Sequence, residues 1–324
     1  MNKLIIMNKH LIDLMERILN FPDDIISEEL TEELIEYLSD STLICPVDDD
    51  TLIGLQLGAN TFIPACSDIE RFREIFPNSN PKEVEFRKFS NYISDDMSGI
   101  LINPGITGFV VSPAISRMVF AKISDRNKPP VTKGYDVKVR LNDLRPLTWR
   151  DLIIPENITF MELDDILKTL WNFNGHHLSC FLIKKDDLII IDRKLSEETM
   201  MGCDFDANTT IIDDIFEKYD KVTYWYDFGD DWRFDIEIKK KIDYDKNYVT
   251  IKRYKGKYDP IEDCKGVYGL SEIIYLAENP DGEDMYGFGD WVDYLEEFDM
   301  EYAQRLLKNK GYVKSIWRQC DEGL

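Results

Sequence analysis

The segment Tyr224-Trp225-Tyr226-Asp227-Phe228-Gly229-Asp230-Asp231-Trp232 constrains the fold more than any other stretch of this chain. Aromatic side chains at alternate positions mark a strand with one face in a core. The run then reaches a glycine between acids, which is turn chemistry. The segment therefore predicts a strand that ends in a tight, acid-lined corner, with Gly229 supplying the turn.

A chain of 324 residues exceeds what one hydrophobic core usually serves, so two domains are expected. Hydrophobic residues at 44% and aromatics at 12% are a globular composition, not a disordered one. A formal net charge of −23 repels phosphate backbones and argues against nucleic-acid binding. The run Lys239-Lys240-Lys241 reads as a solvated strand end. The six cysteines, at positions 45, 66, 180, 203, 264 and 320, form no CxxC pair and are widely spaced, as reduced thiols in the cytoplasm are. Near the start, Leu4, Leu11, Ile12, Met15, Ile18 and Leu19 keep helical spacing and are interrupted by Asp13, Glu16 and Arg17. No signal-peptide core and no stretch of membrane length is present, so no membrane partner is expected.

Strands and helices are segregated, without regular alternation. The expected class is α+β in two domains, the second a mixed sheet with packed helices. The first domain spans residues 1–125. Two helices open it, the second capped by Ser27, and short strands follow at Thr42–Pro46, Leu52–Leu57 and Asn60–Pro64. Ser67 and Glu70 have capping-box spacing before a helix, and Asn103-Pro104-Gly105 is a turn. Residues 126–133, polar and then proline-stiffened, are the linker. The second domain spans 134–324. It starts on an alternating strand with Tyr135, Val137, Val139 and Leu141 on one face. Thr159 and Glu162 form a second capping box ahead of the stripe Leu163, Ile166, Leu167, Leu170 and Trp171.

Four ordered landmarks in the second domain carry a resemblance. They are the Arg145-Pro146 and Trp149-Arg150 pairs after the first strand, the run His176-His177-Leu178 with Phe181, the nine-residue corner, and Pro260-Ile261-Glu262-Asp263-Cys264-Lys265-Gly266. From Tyr135 to about Leu307 the chain resembles the plasmid pRiA4b ORF-3-like family, whose activity is uncharacterised and some of whose members travel with mobile elements. It departs from the family pattern at Phe234, where members often carry histidine, and over Tyr254 to Asp259, where many carry cysteine. The first half, roughly Glu33 to Phe120, is similar to the SseB N-terminal domain family through Thr61 to Ser67 and the turn at Asn103. That resemblance implies an interaction role.

The binding residues expected from these motifs are Trp149, Arg150, His177, Asp227, Gly229, Asp230, Trp232, Glu262, Asp263 and Cys264. No catalytic residue stands out. There is no Gly-x-Ser-x-Gly elbow, and Asp227-Phe228-Gly229 lacks the other kinase motifs. If the two acidic segments meet, their carboxylates raise one another's pKa or attract a hard cation. No calcium-loop spacing is present, so no metal ligand and no cofactor is assigned. His176 and Cys180 would sit about 13 Å apart on an extended strand, too far for one ion. The function expected is a non-catalytic cytoplasmic protein that binds a protein partner or a small ligand. The alternatives are a metal-dependent hydrolase built on the Phe-Gly-Asp and Glu-Asp-Cys segments, and a mobile-element DNA function.

Overall fold

A computed structural model describes residues 2–21, 28–49, 51–92, 97–126 and 130–313, with side chains omitted at 2–8 and 28. Contacts group the chain into two compact units, built mainly on Met1–Lys128 and Pro129–Lys308. Both mix helices with sheets, and the class is α+β. Among the described residues no helix is long and apolar enough to cross a membrane.

The first unit contains α1 (Asn2–Leu19), α2 (Glu28–Ser39), β1 (Thr42–Asp48), β2 (Thr51–Leu52), β3 (Leu55–Leu57), β4 (Asn60–Ala65), α3 (Ile69–Ile75), β5 (Asn80–Glu85), β6 (Gly99–Ile102), β7 (Phe109–Val111) and α4 (Pro113–Asp125). Its strands form two sheets, ordered β2-β1-β5 and β3-β4-β6-β7. Leu34 and Leu38 of α2 are buried as their spacing requires. The cap expected at Ser27, and residues 127–129 of the expected linker, lie outside the described residues. The capping box expected at Ser67 is not formed. Asp68 is the N-cap of α3 and accepts from the Arg71 amide. Ser67 is occupied instead by Asn103, whose carboxamide accepts from the Ser67 amide at 2.9 Å and donates to its hydroxyl at 3.0 Å. Residues Phe86–Asn91 form a 3-10 turn.

The second unit runs β8 (Lys133–Leu141), β9 (Trp149–Pro155), α5 (Phe160–Leu170), β10 (Ser179–Ile183), β11 (Leu188–Ile191), α6 (Arg193–Thr199), β12 (Phe205–Asp206), α7 (Asp213–Phe216), β13 (Lys221–Tyr226), β14 (Trp232–Asp243), β15 (Thr250–Lys255), α8 (Gly266–Glu278), a 3-10 turn Gly289–Tyr294 and α9 (Met300–Lys308). Eight strands make one mixed sheet in the order β12-β11-β10-β13-β14-β8-β9-β15. All its pairings are antiparallel except the parallel β11–β12 pair.

Alternation gives this sheet two unlike faces. One carries Tyr135, Val137, Val139, Tyr224, Tyr226, Trp232 and Phe234 into the core beneath α5. The capping box at the start of α5 forms as expected, with Thr159 accepting from the Glu162 amide and Glu162 from the Thr159 amide. The opposite face is charged. Asp151, with no exposed side chain, meets Lys239 at 2.9 Å and Arg253 at 2.6 Å. Asp235 meets Arg140 at 3.1 Å and Lys221 at 2.6 Å, and Asp136 meets Lys252 at 2.7 Å. The register puts Arg140 across from Asp235, and Asp151 across from both Lys138 and Arg253. Opposite charges on neighbouring strands support each other.

Candidate functional site

β13 ends at Tyr226 and the chain reverses through Asp227–Asp231 into β14. The left-handed backbone of this turn does not fall on Gly229. It falls on Asp227 and Asp231, with φ of 53° and 57°, and aspartate tolerates that region. Gly229 serves a different need, because a β-carbon there would lie 3.3 Å from the Asp227 carboxylate. That carboxylate accepts from the amides of Gly229 at 3.0 Å and Asp230 at 3.2 Å. One oxygen of Asp227 therefore builds the turn, and the other faces His177.

The loop before α8 lies directly on this turn. A β-carbon on Gly266 would come within 2.0 Å of the Asp230 carbonyl oxygen, so only glycine permits the approach, and its φ of 66° suits glycine as well. Glu262 of the same loop accepts from the Tyr226 hydroxyl and, at 3.0 Å, from the Asn174 amide. Burial and the adjacent Glu262 carboxylate push the Tyr226 phenol far up, so it stays a donor. The two acidic segments thus meet, tied by tyrosine to glutamate and by glycine against backbone.

His177, from the segment that leads into β10, turns onto the junction. Its Nε2 lies 3.2 Å from Asp263, and its Nδ1 lies 3.6 Å from Asp227. One ligand atom from each of His177, Asp227 and Asp263 falls within 4.8 Å of the others. A separation of 3.6 Å is long for a hydrogen bond. An ion takes only one of the two ring nitrogens, so only one of these distances can be a ligand–ligand edge; the Nδ1–Asp227 separation is close to the roughly 3.4 Å edge of a tetrahedral ion whose bonds are about 2.0–2.1 Å. Asp230, beside them, has its carboxyl pushed up, first by burial and then by Asp227 and Asp263, against the opposing pull of the Gly266 and Lys265 amides.

Other expected site residues are placed elsewhere. Trp232 is fully buried in the core. Cys264 is fully buried too, its thiol pushed up to about 12, chiefly by burial and then by Asp230. A thiol held protonated is no nucleophile, which removes the cysteine from any catalytic reading of this segment. Trp149 lies on the charged face of the sheet, with the Lys138 ammonium 4.1 Å from its ring centre. Arg150 has no exposed surface. Its guanidinium bonds the Lys255 carbonyl at 3.0 Å and Asp259 at 3.2 Å, and lies 3.7 Å from the Phe298 ring centre. Burial lowers Arg150 to about 10 and raises Asp259 to about 6. Arg150 therefore anchors the approach to the Glu262 loop from below.

Sequence reasoning missed a polar group under the corner. Asp164 and Lys168 of α5 face inward and pair at 2.7 Å. Asp164 also accepts from Tyr224 and Ser179, both at 2.7 Å. Their i,i+4 spacing is the signal the chain carries, and it does not distinguish a buried pair from a surface one.

A protein of unknown function from Methanosarcina mazei Go1, known from its crystal structure, is 23% identical to this chain. The match covers 54% of this chain and 98% of that one, with a TM-score of 0.44. No functionally curated protein matches. The family model for plasmid pRiA4b ORF-3-like proteins matches residues 133–305, the corner and the Glu262 loop included. This chain belongs to the plasmid pRiA4b ORF-3-like family.

Proposed function

We propose that this is a binding protein whose second unit holds a divalent transition-metal ion at the corner, with His177, Asp227 and Asp263 as ligands. The observation that carries this reading is the convergence of one imidazole and two carboxylates from three separate segments within 4.8 Å. A mixed nitrogen and oxygen set suits zinc or manganese better than magnesium or calcium, which prefer oxygen alone. Calorimetric titration with zinc, manganese and magnesium tests it. Zinc or manganese is expected to bind one-to-one, and magnesium weakly. Asp227→Asn keeps an acceptor for the turn amides and is expected to abolish the zinc or manganese signal.

One observation favours a hydrolytic use of the same site. Three protein ligands leave a coordination position for water, as in catalytic zinc sites. Turnover of an activated phosphodiester by the metal-loaded protein, lost in Asp227→Asn, would support it. Without turnover, binding alone stands. A DNA role finds no support in a chain of net charge −23. For the first unit we propose an SseB-like interaction domain. The support is that two segments behind that resemblance, at Ser67 and Asn103, interlock by side-chain hydrogen bonds.

A further inference from the structure

Residues 266–294 contain seven carboxylates and no lysine or arginine. The same stretch displays Tyr268, Tyr275, Met285, Tyr286 and Tyr294, each between 49% and 69% exposed. Tyr268 and Tyr275 are seven residues apart on α8 and share its outer face with Glu272. The loop after α8 folds back so that the Tyr286 ring meets that of Tyr268 edge-on at 5.5 Å. None of these five side chains belongs to the core.

The loop is built to hold this shape. Asp284 accepts from the amides of Gly287, Phe288 and Gly289, all at 2.8 Å. Phe288, only 3% exposed, plugs the loop into the core. Its ring lies against Gly269, where a β-carbon would come within 3.1 Å. Met285 and Tyr286 are thereby presented outward on a fixed backbone, which reduces the ordering cost of binding. Because Asp284 spends its oxygens on backbone amides, the acids here form a charged rim and not an ion cage.

We propose that this surface docks a lysine- and arginine-rich polypeptide segment. Tyrosines are rigid, amphipathic anchors enriched at interfaces. Their ring faces accept cationic side chains. Lys265, whose ammonium lies 5.3 Å from the Phe288 ring centre, is the cation next to this stretch, and the seven carboxylates outweigh it. A mostly negative field steers a cationic partner and rejects phosphate-bearing polymers. The surface is distinct from the proposed metal ligands, and occupancy of that site does not decide it.

The test uses the full chain and a fluorescein-labelled peptide of about twelve residues with lysine or arginine at two of every three positions, read by anisotropy at low and raised salt. The wild type is expected to bind. Tyr268→Ser combined with Tyr286→Ser, which leaves the charge unchanged, is expected to weaken binding at least about tenfold. Tyr294→Ser, at the most exposed of the four tyrosines, is the second variant should the double one fold poorly, and is expected to weaken binding several-fold. The zinc titration should be unchanged in both. Equal binding by wild type and both variants would mean diffuse attraction by net charge and would overturn the proposal, as would no binding by the wild type. Tyrosine-dependent self-association in light scattering, without peptide binding, would make a second copy of the chain the occupant and overturn it too.

Discussion

Two regions of the second unit collect carboxylates, and they treat them in opposite ways. On the open face of the sheet, Asp136, Asp151 and Asp235 are buried under the long side chains of lysines and arginines from neighbouring strands. Those cations and the hydrogen bonds they donate hold the Asp151 and Asp235 carboxyls below their ordinary value, despite the opposing effect of burial. At the corner, Asp227 and Asp263 flank one histidine, and the carboxyl of Asp230, near both acids, moves up. Matched acids hold strands together. Acids gathered without matching lysines or arginines are the arrangement on which the proposed metal site rests.

The largest expected effect tests the structural side. Asp151→Ala should cost about 3 kcal/mol in denaturant unfolding, because it strands cations that a buried carboxylate holds, and should leave zinc binding intact. An unchanged midpoint would break the comparison. Next, Asp227→Asn should change stability by under about 1 kcal/mol while weakening zinc binding by at least about a hundredfold, more than loss of an outer partner causes. The smallest effect sharpens the electrostatics. Asp230 carries a raised folded pKa, so its ionised form destabilises the fold at neutral pH, and this cost is relieved as pH falls through the folded value towards 3.8. Asp230→Asn should therefore stabilise the protein slightly at pH 7, with the gain vanishing near pH 3.8, in melts recorded across that range.

Much of the sheet was legible in the chain. Alternation assigns Tyr224, Tyr226, Trp232 and Phe234 to one face, and all four are buried. The Thr159–Glu162 box is legible because both halves of a reciprocal bond lie three residues apart. What failed depends on distant partners. Ser67 has the look of a cap, but Asn103, 36 residues away, claims it. Arg150 reads as a binding residue, and nothing in the sequence shows that Asp259, 109 residues on, holds it inside. The corner itself was half legible. The sequence marks both acidic segments as turns and leaves their meeting open, and nothing in local spacing shows that His177 would face them. A positive φ at Asp227 and not at Gly229 was equally hidden, since either residue accepts a turn.

The central claim is that three segments converge to bind a metal through one particular imidazole. The chain has only three histidines, His10, His176 and His177, which makes the ring nitrogens directly readable by NMR. Stoichiometric zinc added to protein labelled with nitrogen-15 in its histidines should shift the His177 resonances alone, and Asp227→Asn should erase that shift. Zinc that perturbs all three rings alike, or none of them, would contradict the account.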